Sequence, residues 1–158
     1  MKRPLIAATA ALLLLAACAT TPAPKTIAQT VAATLELSTL TRLLQDAELT
    51  ETLQGTGPFT VFAPSDAAFK AVPAATMAAL ASDKARLKAV LSYHVVPGAL
   101  ASADVKNGPL KTVQGGNVVL YKSGTFLTVE EALVTTADVR ARNGVIQVVD
   151  KVLIPPAR

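Results

Sequence analysis

The sequence predicts an α+β fold, because helical patterns fill its first part and short β-rich segments fill its second. Apolar residues recur at helical spacing between about residues 27 and 94, and strand-like segments begin near Leu110. One exception is FTVFA at residues 59–63, which is typical of a short buried strand and is followed by Pro64. Helices followed by strands, with one strand placed early, favour an α+β domain.

Two helices are predicted before this early strand. The first lies around residues 27–34. Ser38 is expected to be the N-cap of the second, because an apolar stripe with the spacing i, i+3, i+4 and i+7 follows it. The stripe consists of Leu40, Leu43, Leu44 and Ala47.

Two further helices are predicted after Pro73. Met77, Leu80 and Ala81 lie on one helical face of the first. Ser82 is expected to cap the next helix, with Asp83 favourable at its positive end. The inward-facing residues of that helix are expected to be Leu87, Val90 and Leu91.

The strand-like segments of the second part are separated by turn signals, which contain glycine at residues 115–117, 123–124 and 143–144. Glu130 and Glu131 would favour a helix in isolation, but between two strand segments they are interpreted as a hairpin connection. The segments are LKTV, VVLY, FLTV, ALVTTADV and VIQVVDKVLI.

Residues 1–17 have the features of a secretory signal peptide. Lys2 and Arg3 form its positive region, residues 5–15 its apolar region, and LAA at residues 15–17 its small-residue cleavage region. The apolar stretch is too short to span a membrane as a helix. LAAC at residues 15–18 resembles a bacterial lipobox, which implies cleavage before Cys18 and a diacylglycerol on its thiol.

Cys18 is the only cysteine, so its acylation would leave none for a disulfide. Two acyl chains anchor a protein stably, so the lipid would tether the chain to the membrane without spanning it. Residues 18–25 are expected to form a flexible tether and residues 26–156 the folded domain. Ala19, in place of aspartate, favours the outer membrane of the cell envelope where the common Gram-negative sorting pattern applies.

The charge of the chain does not favour a nucleic-acid partner. The formal charge of +4 includes Lys2 and Arg3, and removing them from 15 basic residues leaves 13 against 11 acidic ones, or +2. The remaining basic residues are scattered, except for three that are interpreted as a solvated helix face. These are Lys84, Arg86 and Lys88. A basic patch and an aromatic stacking platform are both absent from the sequence pattern, so no nucleic acid is expected to bind.

Three separated motifs resemble the signatures of the fasciclin, or FAS1, domain family. They are TGPFTVFAPSDAAF at residues 56–69, YHVVPG at residues 93–98 and NGVIQVVDKVLIPP at residues 143–156. The resemblance covers about residues 26–156 and implies a wedge or sandwich of short β-strands with several helices packed alongside. It also implies an extracellular or envelope module that mediates adhesion, usually without catalytic activity.

Three polar residues within these motifs are expected to be structural. Gln147 departs from the family pattern, in which histidine is common at this position; glutamine donates and accepts hydrogen bonds but does not titrate near neutral pH. Strand alternation places Gln147 and Asp150 on opposite faces, so they do not form one site. Asp66 is expected to cap a short helical turn, and Asp150, among valines, to accept hydrogen bonds.

No catalytic, cofactor or metal site is predicted. Ser65 and Asp66 lie in no G-x-S-x-G pattern that would support hydrolysis through His94, which is the only histidine. Adjacent Glu130 and Glu131 would point to opposite faces of a strand. One histidine without a free cysteine gives no metal-ligand spacing, and the glycine pattern fits turns rather than a phosphate-binding loop.

His94 has two interpretations. It lies seven residues after Leu87, so at the end of that helix it would face the core, and a hydrogen-bonded core residue is the favoured reading. The resemblance to the fasciclin family, whose Tyr-His region is linked to partner binding, instead makes Tyr93 and His94 the candidate partner-binding residues.

The leading hypothesis is a lipid-anchored envelope protein whose FAS1 domain binds a protein or polysaccharide of the envelope or matrix. The alternative is a structural lipoprotein that organises the envelope and adheres to nothing outside the cell. A small hydrolase of esters or glycans that depends on His94 is the least favoured hypothesis.

Overall fold

The computed structural model describes residues 23–156, so the predicted signal peptide and Cys18 lie outside the described residues. Thr26 begins the first helix through a capping box. Its Oγ1 accepts the backbone N–H of Gln29 over 3.3 Å, and Gln29 Oε1 accepts the backbone N–H of Thr26 over 3.0 Å. The helices are α1 (Ile27–Ala33), α2 (Ser38–Asp46), α3 (Thr50–Gln54), α4 (Asp66–Ala71), α5 (Ala74–Ser82) and α6 (Lys84–Tyr93), with a 3₁₀ turn at Leu35–Leu37.

Within residues 23–156, no helix has the length and apolar character that crossing a membrane would need.

The strands of the described chain form one mixed sheet. They are β1 (Phe59–Pro64), β2 (Val95–Pro97), β3 (Gly108–Lys111), β4 (Asn117–Ser123), β5 (Phe126–Val129), β6 (Ala132–Ala141) and β7 (Gly144–Val149). Their order is β2-β1-β7-β6-β5-β4-β3. Neighbouring strands are antiparallel except β1 and β7, which pair in parallel.

The parallel pair β1 and β7 is buried on both faces. Val61 and Ile146 belong to the core cluster that also holds the apolar faces of the helices. Phe62, one position after Val61, and Val149, three positions after Ile146, belong to a second cluster on the other face. Both strands therefore read as nearly unbroken apolar runs, as strands covered on two faces do.

The sheet curls until its two edges meet. The second cluster joins Phe62 and Val96 from one end of the sheet to Leu120 and Leu127 from the other. Val113, which follows β3, donates its backbone N–H to the carbonyl of Val95 in β2 over 2.8 Å. The result is a wedge of short strands with helices packed alongside, as the resemblance implied.

The predicted apolar stripes of α2 and α6 are confirmed, whereas in the stripe of α5 Leu80 is buried, Met77 is half-buried and Ala81 is exposed. Leu40, Leu43, Leu44 and Ala47 of the α2 region are all buried, as are Leu87, Val90 and Leu91 of α6. Glu130 and Glu131 form the turn between β5 and β6, so the interpretation as a hairpin connection is also confirmed.

Two predicted helix caps are wrong. Ser38 is the first residue of α2, whose N-cap position is Leu37, and the Ser38 side chain donates to Asp66 instead. Ser82 is the last residue of α5, and Asp83 is the N-cap of α6, accepting the backbone N–H of Arg86 over 3.1 Å. A carboxylate that accepts this bond also complements the positive helix end, which the neutral serine hydroxyl does not.

Candidate functional site

His94 is a core residue that follows the last turn of α6. Its ring is 1% exposed. Nδ1 lies 2.8 Å from the carbonyl oxygen of Val90, and Nε2 accepts the backbone N–H of Leu153 over 2.9 Å. Burial lowers the pKa of His94 from 6.5 to about 4, although the bond to Val90 opposes the shift. The ring is therefore neutral near pH 7, and both nitrogens have backbone partners.

Tyr93 is also buried, at 4% exposure. Its hydroxyl donates to the carbonyl of Asn117 over 2.7 Å, and its ring packs in the second core cluster. Burial raises the pKa of Tyr93, and the nearby carboxylate of Glu130 raises it further. The residue reaches the surface only as part of the lining of a groove of about 490 Å³, which Glu131 and Lys151 also line.

The structure therefore places the two candidate partner-binding residues, Tyr93 and His94, in the interior. Both side chains point into the interior, because α6 ends between the helical core and the curled sheet. What the two residues do there is join elements: Tyr93 connects α6 to β4, and His94 connects α6 to the segment after β7. His94 is enclosed by the core, and Tyr93 reaches the surface only in the groove that Glu131 and Lys151 also line.

Asp66 stabilises a different helix from the one predicted. Its carboxylate accepts the Ser38 hydroxyl over 2.6 Å and the Thr39 backbone N–H over 2.8 Å, both at the start of α2. Its own helix, α4, is capped by Ser65, whose hydroxyl accepts the N–H of Ala68. Burial would raise the pKa of Asp66, but these donated hydrogen bonds lower it below its usual value.

Gln147 lies in β7 at 1% exposure and holds a bulge in β6. Its Oε1 accepts the backbone N–H of Asp138 over 3.1 Å, and its Nε2 donates to Asp138 Oδ1 over 3.1 Å and to the carbonyl of Leu100 over 3.3 Å. Asp138 has a φ of 57°, so the bulge residue is in the left-handed region. The glutamine amide thus satisfies the buried polar groups that the bulge leaves unpaired.

Asp138 extends this network to the loop between β2 and β3. Its two carboxylate oxygens accept the backbone N–H of Ser102, over 2.6 Å, and the Ser102 hydroxyl. Burial alone would raise the pKa of Asp138, but the bonds from Ser102 and Gln147 lower it. Three segments that are distant in sequence are therefore held by one group of polar side chains.

Asp150 is exposed rather than buried, which corrects the expected environment. The strand β7 ends at Val149, so Asp150 lies beyond the sheet interior. Its backbone N–H donates to the carbonyl of Leu133 over 3.0 Å, and its Oδ1 accepts the Leu133 N–H over 2.7 Å. The expected hydrogen-bond acceptor is present, at the start of β6.

Asn143 was missed by the sequence reasoning, although NG was recognised as a turn. The side chain is buried and makes three bonds: it accepts the N–H of Ile27 over 2.8 Å and donates to the carbonyls of Leu53 and Gly55 over 2.7 and 2.8 Å. It therefore ties the β6–β7 turn to α1 and α3. The sequence signal for this role is the asparagine before the turn glycine, because asparagine side chains in turns often bond to nearby backbone groups.

The exposed aromatic residues were also missed. Tyr121 is 58% exposed and Phe126 is 66% exposed. Tyr121 pairs with Thr128 and Ser123 pairs with Phe126, so the two rings are diagonal neighbours on one face of the β4–β5 hairpin. Val118 and Leu120 point the opposite way, into the core. The alternation in VVLY was the signal that places Tyr121 outward.

Metal-ligating side chains do not cluster in the described part of the chain. Residues 23–156 contain no group of three or more His, Cys, Asp or Glu side chains that could hold a metal ion. A groove of about 750 Å³ lies beside the β6–β7 turn and is lined by Asp138, Arg140 and Arg142 together with backbone-rich segments. His94 is not among its lining residues.

The chain belongs to the fasciclin-domain family, whose model it matches over residues 35–155. Protein sll1483 from Synechocystis sp. is 40% identical over 140 residues, which cover 87% of this chain and 78% of that protein. Immunogenic protein MPB70 from Mycobacterium bovis is 39% identical over 127 residues, which cover 77% of this chain and 65% of that protein.

Cell surface glycolipoprotein MPB83 from Mycobacterium bovis is 37% identical over 127 residues, covering 77% of this chain and 57% of that protein. The chain therefore spans less than two thirds of the two mycobacterial relatives. A solved FAS1 domain pair from the insect cell adhesion molecule fasciclin I superposes with a TM-score of 0.65 at 17% identity, covering 83% of this chain and 51% of that chain. This likeness confirms the predicted FAS1 fold.

Proposed function

We propose that this protein is a lipid-anchored envelope protein whose FAS1 domain binds a protein or polysaccharide partner without catalysis. Membership of the fasciclin-domain family supports a surface or adhesion role, and one relative is itself named a cell surface glycolipoprotein. The lipobox-like LAAC supports attachment through Cys18.

The exposed aromatic pair Tyr121 and Phe126 is the observation that carries the binding role. Aromatic side chains are enriched at protein interfaces, where they bury a large area at a small entropic cost. Adjacent exposed rings leave apolar area in water that a partner would cover. We therefore assign the partner-binding face to the outer surface of the β4–β5 hairpin, in place of the buried Tyr93 and His94.

The same face also carries polar groups, with Ser123 next to Phe126 and with Lys111 and Asn117 toward the other end of β4. The β3–β4 register places Lys111 opposite Asn117, and the β4–β5 register places Ser123 opposite Phe126. Lys111, Asn117 and Ser123 are exposed. An apolar centre surrounded by hydrogen-bonding side chains is the usual composition of a binding surface.

The test compares two variants of the full chain that each remove exposed apolar side chains. In one, Tyr121→Ser and Phe126→Ser are combined; in the other, Leu35→Ser removes a side chain that is 93% exposed elsewhere. Binding to fractionated envelope and matrix material should fall at least about tenfold in the first variant, because interface aromatics contribute heavily to affinity. It should be unchanged in the second, and thermal unfolding should be unchanged in both.

Equal binding by the aromatic variant and the parent would overturn the assigned face. Protease treatment of intact cells then separates adhesion from envelope organisation, since an adhesive domain must be accessible from outside. Complete protection of the domain would favour the alternative, a structural lipoprotein without external partners.

The geometry of His94 argues against the hydrolase hypothesis. A general base must reach the proton it removes, and both ring nitrogens of His94 are bonded to backbone groups inside the core. Turnover of small esters or glycans by the purified protein, lost in His94→Gln while the fold is retained, would contradict this conclusion.

A further inference from the structure

Three cationic side chains surround one shallow groove where the described chain begins. The groove has a volume of about 370 Å³, and Lys25, Arg140 and Arg142 line it together with Thr30 of α1. The backbone N–H of Arg142 donates to the carbonyl of Lys25 over 2.7 Å, which fixes the start of the chain against the β6–β7 turn. Folding therefore gathers cations that are far apart in sequence.

Neighbouring carboxylates balance the charge of this cluster only in part, since the Asp138 carboxylate is attracted to Arg140 without forming an ion pair with it. Within residues 23–156 the single ion pair joins Lys84 and Glu48, so none of the three cations forms one there. Two adjacent grooves, of about 750 and 670 Å³, share Arg142, and Asp138 is the only carboxylate among the residues that line the three grooves. The Asp138 oxygens already accept bonds from Ser102 and Gln147.

The position of the cluster along the chain brings it close to the proposed anchor. Lys25 follows Cys18 by seven residues. A fully extended chain of this length reaches about 25 Å, and a flexible one averages about 15 Å. An anchored chain would therefore keep Lys25 close to the bilayer that holds the lipid. Electrostatic attraction between Lys25 and the bilayer acts over about 8 Å at physiological salt, so it favours orientations in which this end of the domain faces the membrane.

We propose that Lys25, Arg140 and Arg142 bind the phosphates of anionic lipids in the membrane that holds the Cys18 lipid, and so turn this end of the domain toward the bilayer. The inference rests on the proposed lipid anchor. Arginine suits this role because its planar guanidinium matches two phosphate oxygens. Each cation near an anionic bilayer strengthens attraction about fivefold, so three give roughly a hundredfold preference for the docked orientation.

The experiment places the acylated full-length product, purified from membranes, in vesicles of phosphatidylglycerol with phosphatidylcholine or of phosphatidylcholine alone. Phenylglyoxal modifies accessible arginines, acetylation modifies accessible lysines, and mass spectrometry measures both at each residue. Arg140, Arg142 and Lys25 should react several-fold more slowly on the anionic vesicles only. Arg86 and Lys84 are exposed internal references whose reactivity should be the same on both.

Matched variants test whether these cations cause the docking. Lys25→Gln, Arg140→Gln and Arg142→Gln are combined in one protein, and Lys84→Gln, Arg86→Gln and Lys88→Gln in another, so both lose three charges. Amide hydrogen exchange in the β6–β7 turn should slow on anionic vesicles for the parent and the second variant but not the first. Ionic strength of about 1 M, where the Debye length is about 3 Å, should abolish the slowing.

Two results would overturn the proposal: equal protection on neutral vesicles, or loss of protection in the variant that lacks Lys84, Arg86 and Lys88. The intact mass of the purified protein reports the diacylglycerol on Cys18 independently. If the protein is acylated but its cations remain reactive on anionic vesicles, the proposed membrane docking is contradicted and the lipid anchor is not. If the protein carries no lipid, both the anchor and the docking are contradicted.

Discussion

The backbone N–H of Leu153 donates a hydrogen bond to Nε2 of His94 over 2.9 Å, across 59 residues of sequence. Nδ1 of the same ring lies 2.8 Å from the carbonyl oxygen of Val90, which needs a donor. Only the neutral ring with its proton on Nδ1 can serve both partners. His94 therefore joins α6 to the segment after β7 in one protonation state.

This relationship predicts that the domain loses stability between pH 6.5 and about 4. The pKa of His94 is about 4 in the fold and 6.5 for an unperturbed histidine, so the unfolded chain takes up a proton first as the pH falls. The stabilisation is fully present above pH 6.5 and is lost toward pH 4. A shift of this size corresponds to roughly 3 kcal/mol in the free energy of unfolding, measured by urea titration at several pH values.

His94→Gln is the control for this pH dependence. Glutamine can accept from Leu153 and donate to Val90, but it does not titrate. The variant should be less stable than the parent at pH 7 and should lose less stability between pH 6.5 and 4. Asp66 and Asp138, whose pKa values lie below 3.8, are present in both proteins and lose their contributions at lower pH. Identical pH profiles would contradict the role of His94.

Asp66→Ala should lower the free energy of unfolding by about 1–2 kcal/mol, because α2 loses the carboxylate that accepts the Thr39 backbone N–H and the Ser38 hydroxyl in its first turn. The pKa of Asp66 is lowered, so this stabilisation is present above pH 3.8 and disappears as the pH falls through the folded-state pKa. Asp104→Ala removes an exposed carboxylate as the matched control and should leave stability unchanged. Chemical denaturation of both variants at pH 7 and pH 3 makes the comparison.

Local patterns predict α1, α2, α5 and α6, because the signals of each helix lie within a few residues of each other, but they do not predict α3. The stripe in α2 and the inward residues of α6 follow directly from spacing. The partners of Asp66 could not be found in this way, since Ser38 and Thr39 lie 28 and 27 residues earlier. Because Asp66 lies at the start of α4, the sequence pattern predicts that it caps α4. Only the packing of α2 against α4 shows that its carboxylate caps α2.

The exposed and buried residues of the candidate sites could not be predicted either, because burial also depends on packing between distant segments. Tyr93 and His94 carry a recognisable motif, but a motif does not reveal burial, and their positions became clear only once the curled sheet enclosed them. The scattered cations Lys25 and Arg142 become neighbours through a single backbone hydrogen bond. Chemistry that depends on long-range pairing is not encoded in any one segment.

Gly144→Ala should destabilise the domain by about 3 kcal/mol or more. A Cβ atom at this position would lie 1.8 Å from the carbonyl oxygen of Phe59, which is part of the parallel β1–β7 pairing, so backbone would have to move. Gly55→Ala is the matched control. Its added Cβ would lie 3.2 Å from the carbonyl oxygen of Thr52, and Gly55 has a negative φ that alanine can adopt. Thermal unfolding should separate the two variants clearly, and equal melting temperatures would contradict the close approach.

Gln147→Leu should lower the free energy of unfolding by about 2–3 kcal/mol. Leucine fills a similar space but leaves the N–H of Asp138 and the carbonyl of Leu100 without partners inside the fold. Gln147→His introduces the residue that is common at this position in the family; it keeps one donor and one acceptor and should lose less. Binding through Tyr121 and Phe126 should survive in both variants at temperatures where they are folded. If Gln147→Leu unfolds like the parent but no longer binds the partner, Gln147 would be a partner-binding residue and its structural role would be contradicted.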